Sequence, residues 1–288
     1  MNDFSLLDFE KLWKGREKVT TVEREVILSM IDLSPEMKVL EIGAGNGRIT
    51  QALAGKFRRY YALDVTPSFL EQINPPPGAN KLIRIGGDLY NMPFLDGSLD
   101  TIVMIRVFNF LQSPEMAFRE FARVLKPGGS AIISFFHTGS VATILDRVKH
   151  KGKTAVPGSR YARRVLNSNF EESFYSVSYF KEMSSAAGFR AVSSRSCGLE
   201  DYSPFAPLPA KLFVKLSVLP DVLGLFPHVF IYIQKVGAHP AAIRNDEEIM
   251  ACPDCHELIF TEFLNSGQAT NCRNCGHNFE IRNGVIYV

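Results

Sequence analysis

A glycine-rich turn between a short apolar run and a helix constrains the fold of this chain more than any other feature. Residues 39–42 have the composition of a buried parallel strand, and the segment Glu41-Ile42-Gly43-Ala44-Gly45-Asn46-Gly47 leads into a helical pattern. Glycine has no Cβ, so the backbone can take φ > 0 and pass close beneath a ligand. Asp64 ends the next strand. The arrangement predicts a nucleotide-cofactor site on a doubly wound α/β sheet.

The spacing of the glycines separates two kinds of nucleotide site. The dinucleotide-binding fingerprint requires its third glycine at the position where this chain has Arg48. A pyrophosphate-binding site is therefore disfavoured. A doubly wound domain for a different nucleotide, or for none, remains an alternative because one fold carries many functions.

The pattern E-x-G-x-G-x-G resembles the first motif of class I S-adenosylmethionine (SAM)-dependent methyltransferases, and the resemblance covers roughly residues 35–137. Further motifs follow in the family's order: Asp64 after the second strand, Gly87-Asp88-Leu89 after the third, Pro93–Asp100 before the fourth, and Val124–Gly129 before the fifth. The resemblance implies a Rossmann-like, seven-stranded sheet with SAM as the cofactor. In the family, the acid at 64 accepts hydrogen bonds from the ribose hydroxyls and the acid at 88 from the adenine amino group. The cofactor-binding residues so implied are Glu41, Gly43, Ala44, Gly45, Gly47, Asp64, Val65, Asp88, Leu89 and Arg106.

Four cysteines near the end of the chain form a second motif. Cys252, Cys255, Cys272 and Cys275 have the spacing C-x2-C-x16-C-x2-C, which is typical of a structural zinc site closed by four thiolates. Gly276 would relieve the backbone after the second pair. His256 and His277 are alternative zinc ligands, but we expect both to be exposed residues that lie beside the site without binding the metal. The ending, residues 279–287, resembles the small zinc-binding activator subunit of tRNA and protein methyltransferases, which implies a module for stabilisation or for binding a protein partner.

The order of patterns along the chain predicts three segments. Residues 1–34 are expected to form two helices that cover the cofactor, residues 35–237 the methyltransferase domain, and residues 246–288 the zinc ribbon after a linker at 237–245. Insertions at 138–178 and 197–228 are candidates for a substrate lid, because loops at the carboxyl edge of such sheets border the ligand.

Candidate catalytic residues lie after the fourth and fifth strands. His137 ends the fifth strand and is the candidate general base because its ordinary pKa lies near neutrality; a hydrogen-bonded wall residue is the alternative. Asn109 and Arg106 are candidates for orienting a substrate. The alternative roles are a hydrogen bond at the start of a helix for Asn109 and a surface cation for Arg106. The family commonly has a histidine-containing or polar stretch there, and the sequence Arg106-Val107-Phe108-Asn109-Phe110 lacks histidine.

The distribution of charged and apolar residues in the two insertions bears on the class of methyl acceptor. The net charge is only +2, but the first insertion contains seven cations without an acid among them: Arg147, Lys149, Lys151, Lys153, Arg160, Arg163 and Arg164. Such a cluster is suited to binding an anionic metabolite or RNA, and the alternative is a solvated surface that binds no ligand. Leucines and Phe213 in the second insertion suit a partly apolar substrate or a cover helix. We expect a small-molecule acceptor, with RNA or protein methylation and a catalytically silent scaffold as alternatives.

The amino-terminal residues lack the pattern of a signal peptide, and no run of about 20 apolar residues is present. The sequence therefore predicts a cytoplasmic protein with reduced cysteines and without a transmembrane segment.

Overall fold

The computed structural model describes residues 11, 13–32, 34–79, 82–140, 160–167, 170–198, 207–217, 226–237, 249–259 and 270–288. Several sequence predictions fall outside these residues: most of the first helix before residue 15, the linker beyond Gly237, and the lid cations Arg147, Lys149, Lys151 and Lys153. Among the described residues, no helix is both long and apolar enough to cross a membrane.

The helices are α1 (Glu17–Met30), α2 (Thr50–Leu53), α3 (Pro67–Leu70), α4 (Pro114–Val124), α5 (Val177–Ala186) and α6 (Ala210–Ser217), with 3₁₀ turns at Ala54–Lys56 and Phe108–Phe110. The strands are β1 (Lys38–Ile42), β2 (Arg59–Asp64), β3 (Leu82–Gly86), β4 (Leu99–Met104), β5 (Leu125–Phe136), β6 (Tyr161–Asn167), β7 (Phe170–Tyr175), β8 (Phe189–Cys197), β9 (His228–Lys235), β10 (Thr270–Asn271), β11 (Asn278–Arg282) and β12 (Val285–Tyr287). The α/β class predicted from the sequence is confirmed.

The chain divides into two compact units. The glycine-loop unit comprises residues 33–103, 115–131 and 234–288, and the β6–β9 unit comprises residues 1–32, 104–114 and 132–233. Strands β4 and β5 each have residues in both units. This division groups the chain differently from the three segments proposed from the sequence, whose boundaries stay a prediction.

The glycine-loop unit contains a sheet with the strand order β10-β11-β12-β3-β2-β1-β4. Strands β1, β2 and β3 pair in parallel, and β1 and β2 are almost entirely buried, as expected for the inner strands of a parallel sheet. Helix α4 buries Ala117, Phe118, Phe121 and Val124, which recur at helical spacing on one face. Parallel pairing brings the ends of β1, β2 and β3 to one edge of the sheet, where the glycine loop follows β1, Asp64 ends β2 and Asp88 follows β3.

The end of the chain extends this sheet. Strand β12 pairs in parallel with β3, with Ile286 opposite Ile85, and β11 pairs antiparallel with β12. The hairpin between them turns at Asn283 and Gly284, both with positive φ, as a two-residue turn requires. Val285 is buried in a cluster with Ala44, Ala62, Leu70 and Ile73. The last strand of the ribbon is therefore part of the core beneath the glycine loop.

The β6–β9 unit is held by an aromatic core. Phe108, Phe135, Tyr175 and Phe180 pack edge-to-face or stacked, with the Phe135 and Phe180 ring centroids 4.7 Å apart. Strands β5, β9 and β8 are neighbours in that order, and β6 and β7 form a separate antiparallel hairpin within the predicted first lid. Helix α1 buries Val19, Val22, Val26 and Ile27 together with one charged residue, Glu23.

Candidate cofactor and metal sites

The glycine loop has the backbone conformation that its sequence predicts. Gly43, Gly45 and Gly47 all have positive φ, at 71°, 55° and 90°. The amides of Gly43 and Ala44 donate to the carbonyl of Leu63, which fastens the loop to the end of β2. A Cβ on Gly47 would lie 3.0 Å from the side chain of Ile73, so both conformation and space require glycine there.

Asp64 lies beneath this loop. Its Oδ2 accepts from the amide of Gly45 at 2.8 Å, and its Oδ1 accepts from the amide of Thr66 at 2.8 Å. Burial raises the pKa of Asp64, and the two backbone hydrogen bonds oppose that shift. A carboxylate offers about four lone-pair positions, so two acceptor positions remain after these bonds. That capacity matches a ribose with two hydroxyl donors.

Glu41, which the sequence assigned to the cofactor, is bonded to the scaffold. Its Oε2 accepts from Thr50 Oγ1 at 2.6 Å and from Tyr60 Oη at 2.9 Å, within the glycine-loop unit. Burial raises the pKa of Glu41 to about 7, although the hydrogen bonds from Thr50 and Tyr60 lower it. The carboxyl group joins the end of β1 to α2 and β2, and so supports the loop between them.

The predicted adenine side of the site presents one acid and one apolar surface. Asp88 is exposed, and its Oδ1 accepts from the amide of Tyr90 at 3.0 Å, which fixes the turn after β3. The side chain of Val65, next to Asp64, is 59% exposed although it is apolar. Leu89 is half-buried. An exposed aliphatic side chain beside a carboxylate suits the flat face and the amino edge of a nucleobase.

The four cysteines converge in the glycine-loop unit. Their sulfur atoms all lie within 4.8 Å of one another, and the Cys252–Cys275 and Cys255–Cys272 Sγ distances are each 3.5 Å. In a tetrahedral zinc site with Zn–S bonds of about 2.3 Å, sulfur atoms lie about 3.8 Å apart. The donor set and its spacing therefore fit one four-coordinate zinc ion.

The two cysteine pairs have matching backbone turns. Cys252 N donates to Glu257 O and His256 N to Cys252 O, while Cys272 N donates to His277 O and Gly276 N to Cys272 O. Gly276 has φ 80°, and His256 occupies the same position of the first turn with φ 57°. The backbone N–H of Cys275 is the main cause that lowers the pKa of Cys272 to about 7, which favours a thiolate.

The two histidines beside the cysteines lie outside this sulfur cluster. His277 Nδ1 lies 2.8 Å from Asp254 Oδ2, and its ring packs at 4.8 Å from the ring of Phe279. The four thiols already supply a complete tetrahedral set.

Arg106, for which the sequence suggested both cofactor and substrate roles, belongs to the β6–β9 unit. Its backbone is left-handed, with φ 60°, directly after β4, and its amide donates to Ser134 Oγ. Its Nε donates to Glu23 Oε1 at 2.6 Å, and only 14% of the side chain is exposed. The guanidinium carbon lies 5.2 Å from the Trp13 ring and 5.9 Å from the Phe136 ring. Arg106 is thus a partly buried, paired cation held between two aromatic rings.

The other two candidate catalytic residues are also in the β6–β9 unit. Asn109 is buried; its Nδ2 donates to the carbonyl of Ser173, and its Oδ1 accepts from the amide of Phe136. His137 is half-buried, its amide donates to Pro227 O, and its ring lies against Gly139. Asn109 thereby links its own turn to β5 and β7, and the catalytic roles proposed for both residues stay predictions.

The fold and the glycine loop define a class. Superposition on a SAM-dependent methyltransferase of Thermotoga maritima gives a TM-score of 0.55 at 20% identity, covering 79% of this chain and 95% of that one. Superposition on a chain from the complex of the Haloferax volcanii Trm112 methyltransferase activator with a protein described as a methyltransferase gives a TM-score of 0.59 at 17% identity. This match covers 82% of the present chain and 99% of the other. The chain has the fold of SAM-dependent methyltransferases, as the sequence motifs predicted.

Within that class, residues 40–133 match the family described as "Methyltransferase domain". A malonyl-[acyl-carrier protein] O-methyltransferase of Methylococcus capsulatus is 29% identical over 45% of this chain and 50% of that protein. A demethylmenaquinone methyltransferase of Corynebacterium urealyticum is 28% identical over 58% of this chain and 65% of that protein. The chain therefore spans about half to two thirds of the length of these relatives.

Proposed function

We propose that this protein transfers a methyl group from SAM to a small-molecule acceptor. The observation that carries the proposal is the glycine loop with Asp64 beneath it, because a glycine backbone can pass close to a ligand and the carboxylate retains two acceptor positions. When bound, SAM supplies a methyl group made electrophilic by its sulfonium. Asp64 would hold the ribose, Asp88 the adenine amino group, and Val65 the face of the base.

A small molecule is the preferred acceptor for two reasons. The relatives whose names state an acceptor act on malonyl-[acyl-carrier protein] and on demethylmenaquinone. Within the described residues, the lid cation Arg160 is paired with Glu182 at 2.8 Å and stacks over Tyr179. Because Arg160 already binds Glu182 and stacks on Tyr179 within its own unit, it is less suited to binding a nucleic-acid backbone.

We assign the four cysteines to one structural zinc ion. With four thiolates bound, the ion has no open position for a substrate, and its contribution is to the folding of the segment that carries them. Strand β12 continues from this segment onto β3, where Val285 packs beneath the glycine loop. We infer that the ribbon stabilises the cofactor half of the protein in cis, in the way that a separate activator subunit accompanies the Haloferax methyltransferase.

Calorimetric titration with S-adenosylhomocysteine tests the cofactor assignment. Replacing Asp64 by Asn removes a charged acceptor, and the lost hydrogen bonds should weaken binding by about tenfold or more. The same change at Asp96, which is exposed and pairs with Arg123, is the matched control and should leave the affinity unaltered. Absence of binding by the unsubstituted protein would refute the proposal, and unchanged binding by a folded Asp64→Asn protein would remove Asp64 from the site.

Transfer of label from methyl-labelled SAM identifies the acceptor class. The protein is incubated separately with a small-molecule extract, total RNA and total protein from the same cells. We expect label in the small-molecule fraction. Label confined to RNA or protein would overturn the small-molecule proposal while leaving the methyltransferase activity intact.

A further inference from the structure

The segment that follows β3 holds Asp88 and contains no helix or strand of its own. Residues 87–93, all of which the structure describes, run from the end of β3 to an isolated bridge at Phe94. Asp88 is exposed, and its Oδ1 accepts from the amide of Tyr90 within the same segment. An irregular segment keeps an exposed carboxylate in one place only where neighbouring elements fix its two ends. The contacts at those ends therefore determine how well Asp88 is positioned.

The first end of the segment is held by Val288. The amide of Val288 donates to Gly86 O at 3.1 Å, which continues the pairing of β12 with β3 by one residue. A Cβ on Gly87 would lie 2.7 Å from Cγ2 of Val288, so the valine side chain lies directly against the residue that precedes Asp88. The amide of Gly87 also donates to Asp64 O at 3.0 Å. The chain is thus fixed between β2 and Val288 immediately before Asp88.

The second end of the segment pairs with the start of the zinc ribbon. Met250 forms an antiparallel bridge with Phe94, and backbone hydrogen bonds of 2.9 and 3.1 Å join residues 249–251 to residues 93–95. Residues 249–251 are buried, and Cys252, the first cysteine of the zinc site, follows them directly. The anchor at this end is therefore continuous with the metal site.

Both anchors belong to the part of the chain that carries the four cysteines. Cys275 lies shortly before β11, and β11 pairs with β12, which leads to Val288. Arg123 on α4 supports the same segment from outside the ribbon, since it donates to the carbonyls of Met92 and Phe94 at 2.8 and 2.6 Å. Loss of the ribbon's anchors should therefore loosen the segment around Asp88 while α4 still holds its far end.

We propose that the zinc ribbon positions Asp88 for the adenine amino group, so that zinc binding and cofactor binding strengthen each other. The ribbon folds when its thiolates bind the metal, and its strands then fix both ends of the Asp88 segment. Met250 and Val288 are the positioning residues, and all of these residues belong to the glycine-loop unit. The inference rests on the proposed methyltransferase function and gives the ribbon a role in cofactor binding beyond stability.

Chelator competition with the unsubstituted protein measures the coupling. Because coupling between two bound ligands is reciprocal, saturating S-adenosylhomocysteine should raise the affinity for zinc by the same factor by which zinc raises the affinity for the nucleoside. We expect a factor of about ten, since a displaced Asp88 loses its hydrogen bond to the adenine amino group. A zinc affinity that the nucleoside leaves unchanged would overturn the inference.

Replacing Asp88 or Asp64 by Asn separates positioning from general stabilisation. Calorimetric titration gives the S-adenosylhomocysteine affinity of each protein before and after zinc removal, and circular dichroism reports whether the sheet stays folded. Zinc removal should weaken binding by about tenfold in the unsubstituted protein and in Asp64→Asn. In Asp88→Asn it should weaken binding by less than about threefold, because the group that the ribbon positions is already lost.

Asp64 is the matched control because its two oxygens accept from the amides of Gly45 and Thr66, which lie outside the ribbon. An equal loss of affinity in all three proteins would show that the ribbon acts through the stability of the fold alone. That result would overturn the inference.

Replacing Val288 by Ala tests the first anchor without changing the zinc site, and it remains informative where the zinc-free chain does not fold. The variant should keep one zinc ion per chain, bind S-adenosylhomocysteine about threefold more weakly, and exchange the Tyr90 amide hydrogen faster. Val236→Ala removes the same atoms from an exposed side chain of the same unit and should change none of these quantities. Unchanged affinity and unchanged Tyr90 exchange in Val288→Ala would contradict the proposed positioning.

The proposed function and this inference fail in distinguishable ways. If the zinc-loaded, unsubstituted protein does not bind S-adenosylhomocysteine, both are refuted. If it binds the nucleoside and zinc removal leaves that affinity unchanged in a folded protein, the methyltransferase function stands and only the coupling through Asp88 is refuted.

Discussion

Replacing Glu41 by Gln should change how the stability of the protein depends on pH. Burial raises the pKa of Glu41 from its ordinary value of 4.5 to about 7, against the hydrogen bonds from Thr50 and Tyr60. Gln has nearly the same shape and keeps a carbonyl oxygen that can accept from both hydroxyls. It cannot ionise, so the substitution isolates the effect of the charge.

The sign and size follow from proton linkage. Below pH 4.5 Glu41 is protonated in both folded and unfolded chains, and its ionisation costs nothing. Between pH 4.5 and 7 the unfolded chain loses the proton while the folded chain retains it, so the free energy of unfolding falls as pH rises. Above pH 7 both are ionised. A shift of this size corresponds to about 3 kcal/mol across the window, at about 1.4 kcal/mol per pKa unit.

Urea denaturation at pH 5, 6, 7 and 8, followed by circular dichroism, measures the effect. The difference in unfolding free energy between Glu41→Gln and the unsubstituted protein should move in favour of the variant by about 2.5 kcal/mol between pH 5 and pH 8. Thr50→Val, which removes one donor and leaves the carboxyl group, should retain or steepen the pH dependence. Parallel pH profiles for Glu41→Gln and the unsubstituted protein would show that Glu41 ionises as easily in the folded chain as in the unfolded one.

Elemental analysis should find one zinc ion per chain. The Cys272→Ser protein should lose this ion, and the control Cys197→Ser, which changes a cysteine outside the zinc site, should retain it. A zinc-free protein with a folded ribbon would refute the assignment. Gly276→Ala should weaken zinc binding by about tenfold in chelator competition, because φ 80° strains a residue with a Cβ by about 1–2 kcal/mol although the space around it is open. Val285→Ala should lower the unfolding free energy of the glycine-loop unit by about 2 kcal/mol, since the side chain is fully buried. If RNA were the acceptor, methyl transfer should fall steeply as salt concentration rises. We expect a shallow dependence, measured as the amount of labelled product between about 50 and 200 mM salt, the range over which phosphate contacts lose much of their affinity.

The cofactor side of the protein could be predicted from the sequence because its determinants are local. Gly43, Gly45 and Gly47 follow one strand directly, and parallel pairing of β1 with β2 brings Asp64 beneath them. Motif spacing therefore fixes both the fold class and the arrangement of these residues. The role of Glu41 was less predictable, since its partners Thr50 and Tyr60 follow from packing of side chains and not from the motif.

The position of the ribbon's last strand could not be read from the sequence. The apolar run Val285-Ile286-Tyr287 predicts a strand, but periodicity does not state which strand it pairs with. The pairing depends on β3, which would otherwise be an edge strand, and on contacts such as that of Arg84 with the carbonyl of Asn283, 199 positions further along the chain. The hydrogen bond from Tyr287 to Glu71 reinforces the same pairing.

Charged residues on buried helix faces are the part of this protein that motif spacing predicts least. His137 directly follows a strand that belongs to the motif order, whereas His228 begins a later strand within a mainly apolar segment. Glu23 resembles an ordinary helix-surface acid in the sequence, and only the burial of its helix face reveals that it needs partners. Because a buried carboxylate must be compensated, the residues that meet it are under a stronger physical constraint than any spacing rule imposes. Buried charges in an otherwise apolar unit are therefore the places where a structure adds most to what the sequence predicts, and Glu23 with its partner Arg106 is the example here.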